Sequence, residues 1–391
     1  MFFIRMAGRL NLAITGVQDT LLTGNPSMSY FLSRFKIPTR FAFENKENQF
    51  NGKIDYGEIL TCKVPTERGD FIKNFTIKLS REPLLPQGSS WSPSSMYHLI
   101  EYAELIIGGT IVEKITGEYI YLYQQLRNTE DDTRQGLYFL NGHGDLLTLG
   151  FNYVYFLDLP FYFYRNPSLS IPICALTKHS VEVRVKLRNF NELILDNTSY
   201  GGNISGFSLD TEYVYVSPEE RAYFMSNEIN QIITQVQLST FEMDNTTLKK
   251  DVLLKFSHPV KEMYFVSQSN ISVESNYPNQ YNTIKSVEFK INNETLFKKS
   301  GKEVGYDQVL EKYINSPISS EFGGLIETND RRFGPNIFGI HSFSLNPMSR
   351  YPTGQLNMSR ILHKMLSLEI EPLGNVTTTT VQTVVENETS E

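Results

Sequence analysis

The chain has 391 residues, 40% of them hydrophobic and 20% charged, which is enough apolar material for sizeable cores; wholesale disorder is excluded and two domains of ordinary size are expected. With 26 Phe and 22 Tyr against 1 Trp, the composition favours pleated, half-buried surfaces and so an all-β protein. A net charge of -7 argues against a surface that grips phosphate backbones, so direct nucleic-acid binding is not expected.

In chain order, the opening MFFIRMAGRLNLAITG is apolar but broken by Arg5, Arg9 and Asn11, which leaves no run long enough for a signal peptide. Phe71, Phe75, Ile77 and Leu79 read as one face of a strand, with Lys73 and Lys78 outward. Gly108-Gly109 reads as a hairpin turn that needs positive φ, and Ile120 to Leu126, after Gly117, as a short helix. Asn141-Gly142 is a further turn signal. The most hydrophobic run, Phe151 to Tyr164, is interrupted by Asn152, Asp158 and Pro160, short of the ~18 apolar residues a membrane-spanning helix needs.

Val181, Val183, Val185 and Leu187 alternate with Glu182, Arg184, Lys186 and Arg188, a strand with one apolar and one charged face. The stretch from Asp196 to Asp210, rich in Asn, Ser and Gly, reads as a linker. Ser217-Pro218-Glu219-Glu220-Arg221 is an N-cap, a first-turn Pro and two acids opening a helix, with Tyr223, Phe224 and Ile229 as its expected buried side. Gly201-Gly202, Asn227 and Asn292-Asn293 mark further turns. Leu366, Leu368 and Ile370 alternate with Ser367 and Glu369, and the Thr-rich, acidic residues after Pro372 read as a mobile tail.

Both halves end in a Pro-containing loop followed by an alternating strand, IPICALTKHSVEVRVKLR near 171–188 and YPTGQLNMSRILHKMLSLEI near 351–370. Many short strands with frequent turns indicate sandwiches or barrels, not βαβ units. Two β domains of similar design are therefore expected, near 28–195 and 207–372.

Several segments carry a resemblance. They are MAGRLNLAITGVQDTLLTGNPSMSYF with Leu22-Thr23-Gly24-Asn25-Pro26; IEYAELIIGGTIVEKITGEYI with Thr116-Gly117-Glu118-Tyr119; and LPFYFYRNPSLSIPICAL with Leu159-Pro160-Phe161 and Asn166-Pro167. In the second half they are TEYVYVSPEERAYF; His258-Pro259-Val260-Lys261-Glu262; and IHSFSLNPMSRYPTGQLNMSRI with Phe343-Ser344-Leu345, Pro352-Thr353-Gly354 and Asn357-Met358-Ser359-Arg360. In this order, over nearly the whole chain, they resemble the double jelly-roll major capsid proteins of nucleocytoplasmic large double-stranded DNA viruses. Met6 matches the family's usual start, so residues 1–5 resemble an upstream extension. The chain is at the short end for the family, which implies trimmed surface loops.

The resemblance implies an all-β fold of two consecutive eight-stranded jelly rolls with few short helices. It gives an N-terminal segment, 1–27, beneath the capsomer; jelly roll 1 at 28–195; a linker at 196–206; jelly roll 2 at 207–372; and a polar tail at 373–391. It also implies a structural protein of the virion, made in host cytoplasm, that forms homotrimeric, pseudo-hexagonal capsomers tiling an icosahedral shell with minor capsid proteins over an inner membrane. The motif residues themselves read as fold-forming.

Catalytic and metal chemistry find little support. The six His, at 98, 143, 179, 258, 341 and 363, show no HxH or HExxH spacing, and no GxSxG elbow or Walker loop occurs. Gly142-His143-Gly144-Asp145 reads as a turn and Glu130-Asp131-Asp132 as solvated loop acids. Cys62 and Cys174, outside any CxxC pair, fit a reducing compartment. Without a signal peptide, the Asn-x-Ser/Thr sites are expected to be mostly unused. No catalytic, cofactor-binding or metal residues are therefore expected. Two other roles share the architecture: a non-capsid scaffold that shapes a membrane, and a jelly-roll protein that binds or cleaves carbohydrate.

Overall fold

The computed structural model describes residues 14, 16–18, 24–32, 38–82, 84–85, 91–92, 95–127, 153–194, 200–244, 248–269, 281–313, 338–349, 351–371 and 378–390. It divides into Met1–Arg40 and Phe41–Glu391. Most of the 1–27 segment lies outside the described residues, as do Glu130-Asp131-Asp132, Asn141-Gly142 and the Gly142 to Asp145 turn.

In the larger unit the first jelly roll is built from β1 (Phe41–Gln49), β2 (Ile59–Val64), β3 (Phe71–Arg81), β4 (Ile100–Ile107), β5 (Thr110–Thr116), β6 (Tyr153–Asp158), β7 (Val181–Leu187) and β8 (Ile204–Val216). They form two antiparallel sheets, β1-β8-β3-β6 and β2-β7-β4-β5. The second roll uses β9 (Ile232–Asp244), β10 (Lys249–Leu253), β11 (Pro259–Ser269), β12 (Thr283–Ile291), β13 (Glu294–Ser300), β14 (Gly339–Ser342), β15 (Lys364–Glu371) and β16 (Thr378–Ser390). Its sheets, β9-β16-β11-β14 and β10-β15-β12-β13, repeat the first roll's order strand for strand.

Alternation places the cores. Val181, Val183, Val185 and Leu187 are buried between the first pair of sheets with Leu60, Cys62, Ile77 and Leu105, and their charged neighbours are only partly covered. The second core gathers Met263, Phe265, Val287, Phe289, Leu366, Leu368 and Val385. Gly108-Gly109 and Asn292-Asn293 close the β4–β5 and β12–β13 hairpins, all four with positive φ, because a two-residue turn of that hand matches strand twist.

The bulges repeat as well. Lys73 and Lys261 are skipped in the pairing of β3 with β8 and of β11 with β16; Glu101 and Lys285 in that of β4 with β7 and of β12 with β15; Val112 and Leu296 in the two hairpins. Each pair falls at the same place in its strand, so the two rolls share local irregularities as well as topology.

Four expectations are corrected. The segment 196–206 is not wholly a linker, and the second roll does not begin at 207: β8 runs from Ile204 to Val216 and pairs with β1 and β3 inside the first roll. The 373–391 segment is not a tail, since β16 lies between β9 and β11, hydrogen-bonded to both. Thr and Val are good strand formers, and a strand flanked on both sides needs few large apolar side chains of its own to be held. The Lys73 bulge flips the start of β3, so Ile72 enters the core while Phe71 turns to the outer face. There Phe71 meets Phe224 of α2 (Pro218–Ser226), with ring centroids 4.8 Å apart. Ser217 caps this helix, accepting from the Glu220 amide at 3.3 Å, but none of its residues is buried and Tyr223 points to solvent.

The helix expected after Gly117 is α1 (Gly117–Arg127), and Tyr119, Ile120, Leu122 and Leu126 are fully buried. No helix among the described residues is long and apolar enough to cross a membrane.

Candidate assembly surface

The motif residues hold the fold. Thr116 Oγ1 accepts from the Tyr119 amide at 3.3 Å, opening α1, and Glu118 pairs with Arg188 at the end of β7. Leu159 and Phe161 are buried, and Phe161 and Phe163 both meet Phe75 edge-on. Asn166 caps a short turn by accepting from the Ser168 amide at 3.2 Å. In the second half, Met358 is buried, its amide donates to the His258 carbonyl, and Ser359 Oγ accepts from the His258 amide at 2.8 Å. Lys364, buried at the start of β15, donates to the carbonyls of Phe256 and Met358 at 2.7 and 2.9 Å.

The sequence did not reveal the seam between the rolls. Along β11 every residue from Lys261 to Gln268 is buried, because both faces are covered. Met263 and Phe265 face the second core, whereas Tyr264 and Val266 join the first-roll cluster, with Tyr281, Tyr313 and Ile340. Tyr264 lies 6.1 Å from Tyr119 of α1, ring to ring, and Tyr97 lies 5.6 Å from Tyr121. Tyr264 and Tyr313 both donate to the Glu262 carboxylate, the latter at 2.6 Å. Tyr suits this place because it buries a large ring while its hydroxyl satisfies a polar group, and each such ring pair adds about 0.5–1.5 kcal/mol beyond its area. At the seam's edge β5 and the turn Tyr162–Arg165 pack against β9. Ile233 of β9 is buried there, and Gln235 Nε2 donates to the Val112 carbonyl at 2.8 Å.

Among the described residues, apolar side chains stay uncovered on an edge strand of each roll. On β1, an edge strand, Phe41 and Phe43 are 56% and 51% exposed with ring centroids 5.2 Å apart, and Lys73 Nζ sits 4.8 Å from the Phe43 ring. On the second roll, Leu296 of edge strand β13 is 49% exposed, and the loop after β14 presents Leu345 and Tyr351, 81% and 80% exposed. That loop is tied to itself, Thr353 accepting from the Asn346 amide at 3.0 Å, and Phe343 at its start lies 6.4 Å from Phe297 of β13. Rigid, exposed apolar surface of this kind marks sites of association.

The buried titratable groups serve structure. No group of three His, Cys, Asp or Glu able to hold a metal ion occurs among the described residues. Cys62 and Cys174 are buried free thiols, and burial pushes Cys62 up to about 11. Burial and then the nearby Arg188 pull His98 down to about 3, and its Nε2 lies 3.1 Å from the Glu192 carbonyl. Burial, with Lys299 and Lys312, pulls His341 down to about 4, where it stacks on Phe297 at 3.8 Å. Both are neutral in the folded chain, whereas the unfolded chain binds protons once pH falls through about 6.5. Their stabilisation is therefore complete above pH 6.5 and is lost as pH falls toward 4 and then 3. Each costs about 1.4 kcal/mol per pH unit in that window. Urea unfolding at pH 7.5 and pH 5 should differ by about 2 kcal/mol for His98 alone, with His98→Asn flattening the slope. Equal stability at the two pH values would refute this.

Comparison with known proteins agrees with this architecture. A family model described as the major capsid protein N-terminus matches residues 29–217, and so ends with β8. The chain is 25% identical over 378 residues to the major capsid protein of Pyramimonas orientalis virus, covering 93% of this chain and 91% of that protein. To the major capsid protein of Paramecium bursaria Chlorella virus 1 it is 23% identical, covering 97% and 93%. The solved capsid of that virus shares the fold with a TM-score of 0.74 at 20% identity, over 93% of this chain and 97% of that one. The Faustovirus major capsid protein does so at 0.72 and 10% identity, over 98% and 96%.

Over nearly its whole length the chain is similar to double jelly-roll major capsid proteins. Its role is structural, in a viral capsid. For a capsid protein the faces that meet other copies do the work. Of the Tyr residues that pointed to β-structure, Tyr97, Tyr119, Tyr121, Tyr264, Tyr281 and Tyr313 gather in the cluster that crosses the internal seam.

Proposed function

We propose that this capsid protein forms homotrimers, each a ring of six jelly rolls, that tile a closed shell together with minor capsid proteins over an inner membrane. The division we propose runs from β1 to β8 for the first roll and from β9 to β16 for the second, with α2 between them. The observation that carries the reading is that two rolls of one topology, sharing three bulge positions, are joined in one chain. Three such chains around an axis give a nearly six-sided outline, which packs edge to edge.

The role is purely structural, the protein is made in host cytoplasm, and the -7 charge suits a shell that encloses a genome without gripping it. Light scattering on the size-fractionated protein is expected to give three chain masses of 44.9 kDa each. A monomer at every concentration, with affinity for saccharides, would defeat the reading.

A further inference from the structure

β13 and β14 are end strands of the second roll's two facing sheets, and stacked rings join them. His341 of β14 lies on Phe297 of β13, with ring centroids 3.8 Å and planes 27° apart, and Phe343 meets the imidazole edge-on at 4.8 Å. Phe289 of β12 backs the stack, 5.7 Å from Phe297. His341 is the centre of this contact between the sheets, and its Nδ1 is buried with no hydrogen-bond partner.

The groups around the ring are mainly positive. β13 brings Lys299, two residues on from Phe297 and so on the same face. Lys312 comes from α3 (Gln308–Lys312), which packs against β14. Glu311 of α3 is paired with Lys312 at 2.9 Å and offsets only part of this charge. In the turn Glu303–Asp307, Glu303 accepts from the Ser300 amide at 2.7 Å and Asp307 is exposed. β11 sets the uncharged Met263 opposite His341. A second proton on the ring would therefore be a buried donor without an acceptor, in a cation beside two ammonium groups. The face of Phe297 attracts a cation, but burial and the two lysines act the other way and set the direction.

We propose that this ring stack is an acid-sensitive clasp: protonation of His341 parts β13 from β14 and loosens that side of the second roll while the rest stays folded. The inference goes beyond the capsid reading and does not depend on the trimer. With the clasp closed the ring stays neutral down to about pH 4, whereas in the open state it takes a proton near its ordinary 6.5. By linkage, opening is favoured about tenfold more for each pH unit between 6.5 and 4, and levels off below.

Hydrogen exchange of the full chain at pH 7.5 and pH 5, corrected for intrinsic rates, measures the opening. Amides of β13 and of 339–343 are expected to exchange about thirtyfold faster at pH 5, ahead of those of the interior strand β15. His341→Phe keeps a ring in the stack but takes no proton, and should abolish the response. Lys299→Met, at a partly exposed position, removes one repelling charge and should shrink it; this variant decides the matter alone if His341→Phe does not fold. Unchanged exchange at pH 5 would overturn the inference. So would end-strand amides that exchange only together with those of β15, or folded variants that respond like the wild type.

Discussion

A chain truncated after Pro372 is expected to yield no soluble trimer, with its second roll unfolded. The deletion removes β16, which pairs along its length with β9 and with β11 and places Val385 and Thr383 in the interior. Two strands would be left with open edges, and the sheet would be split between them. Because β11 also supplies Tyr264 and Val266 to the seam, the damage reaches the first roll. Soluble yield and a thermal melt decide the matter: a truncated chain that melts like the full one would show the segment to be dispensable.

The second large effect is at Gly117, where a Cβ would overlap the carbonyl oxygens of Tyr97 and Ile100. Backbone on both sides cannot yield as a flexible side chain would, so Gly117→Ala must displace α1 and with it the Tyr119–Tyr264 contact. Overpacking at such a site costs about 3 kcal/mol. Gly109→Ala is the matched control. Its φ is +85° but the space around it is open, so only left-handed strain of about 1 kcal/mol is expected. Denaturant unfolding of both variants tests this, and equal losses would contradict it.

Legibility followed local physics. The alternation at 181–187, the turns at Gly108-Gly109 and Asn292-Asn293, and the Ser217 cap are set by neighbouring residues, and each stands where the pattern puts it. The last strand of each roll escapes local reading: 196–206 reads as a linker and 207 as the start of the second roll where β8 lies, and 373–391 reads as a tail where β16 lies. The last strand of a jelly roll slots between strands formed much earlier in the chain, and its own residues do not announce those partners. In β8 the alternation of Phe207, Leu209, Thr211 and Tyr213 with Ser208, Asp210 and Glu212 is regular, but it marks a strand without saying which roll the strand joins. In β16 the run TTTVQTVVENETS has only Val as its apolar residue.

Phe71 shows a related limit. A period-2 pattern assigns it to the core, and one skipped residue at Lys73 moves it to the opposite face, where it supports α2. The candidate surface was less legible still. An exposed Phe and a buried Phe look alike in a sequence, so Phe41 and Phe43 gained meaning only when their strand proved to be an edge.

From the sequence alone came the class, all-β in two similar halves, and the family resemblance, because composition and ordered local motifs are properties of short segments. Tertiary structure decided where each roll ends, which Tyr residues line an internal seam, and which apolar side chains are left exposed. These depend on contacts between residues far apart in the chain, whose burial is fixed by what lies opposite and not by what lies next to them.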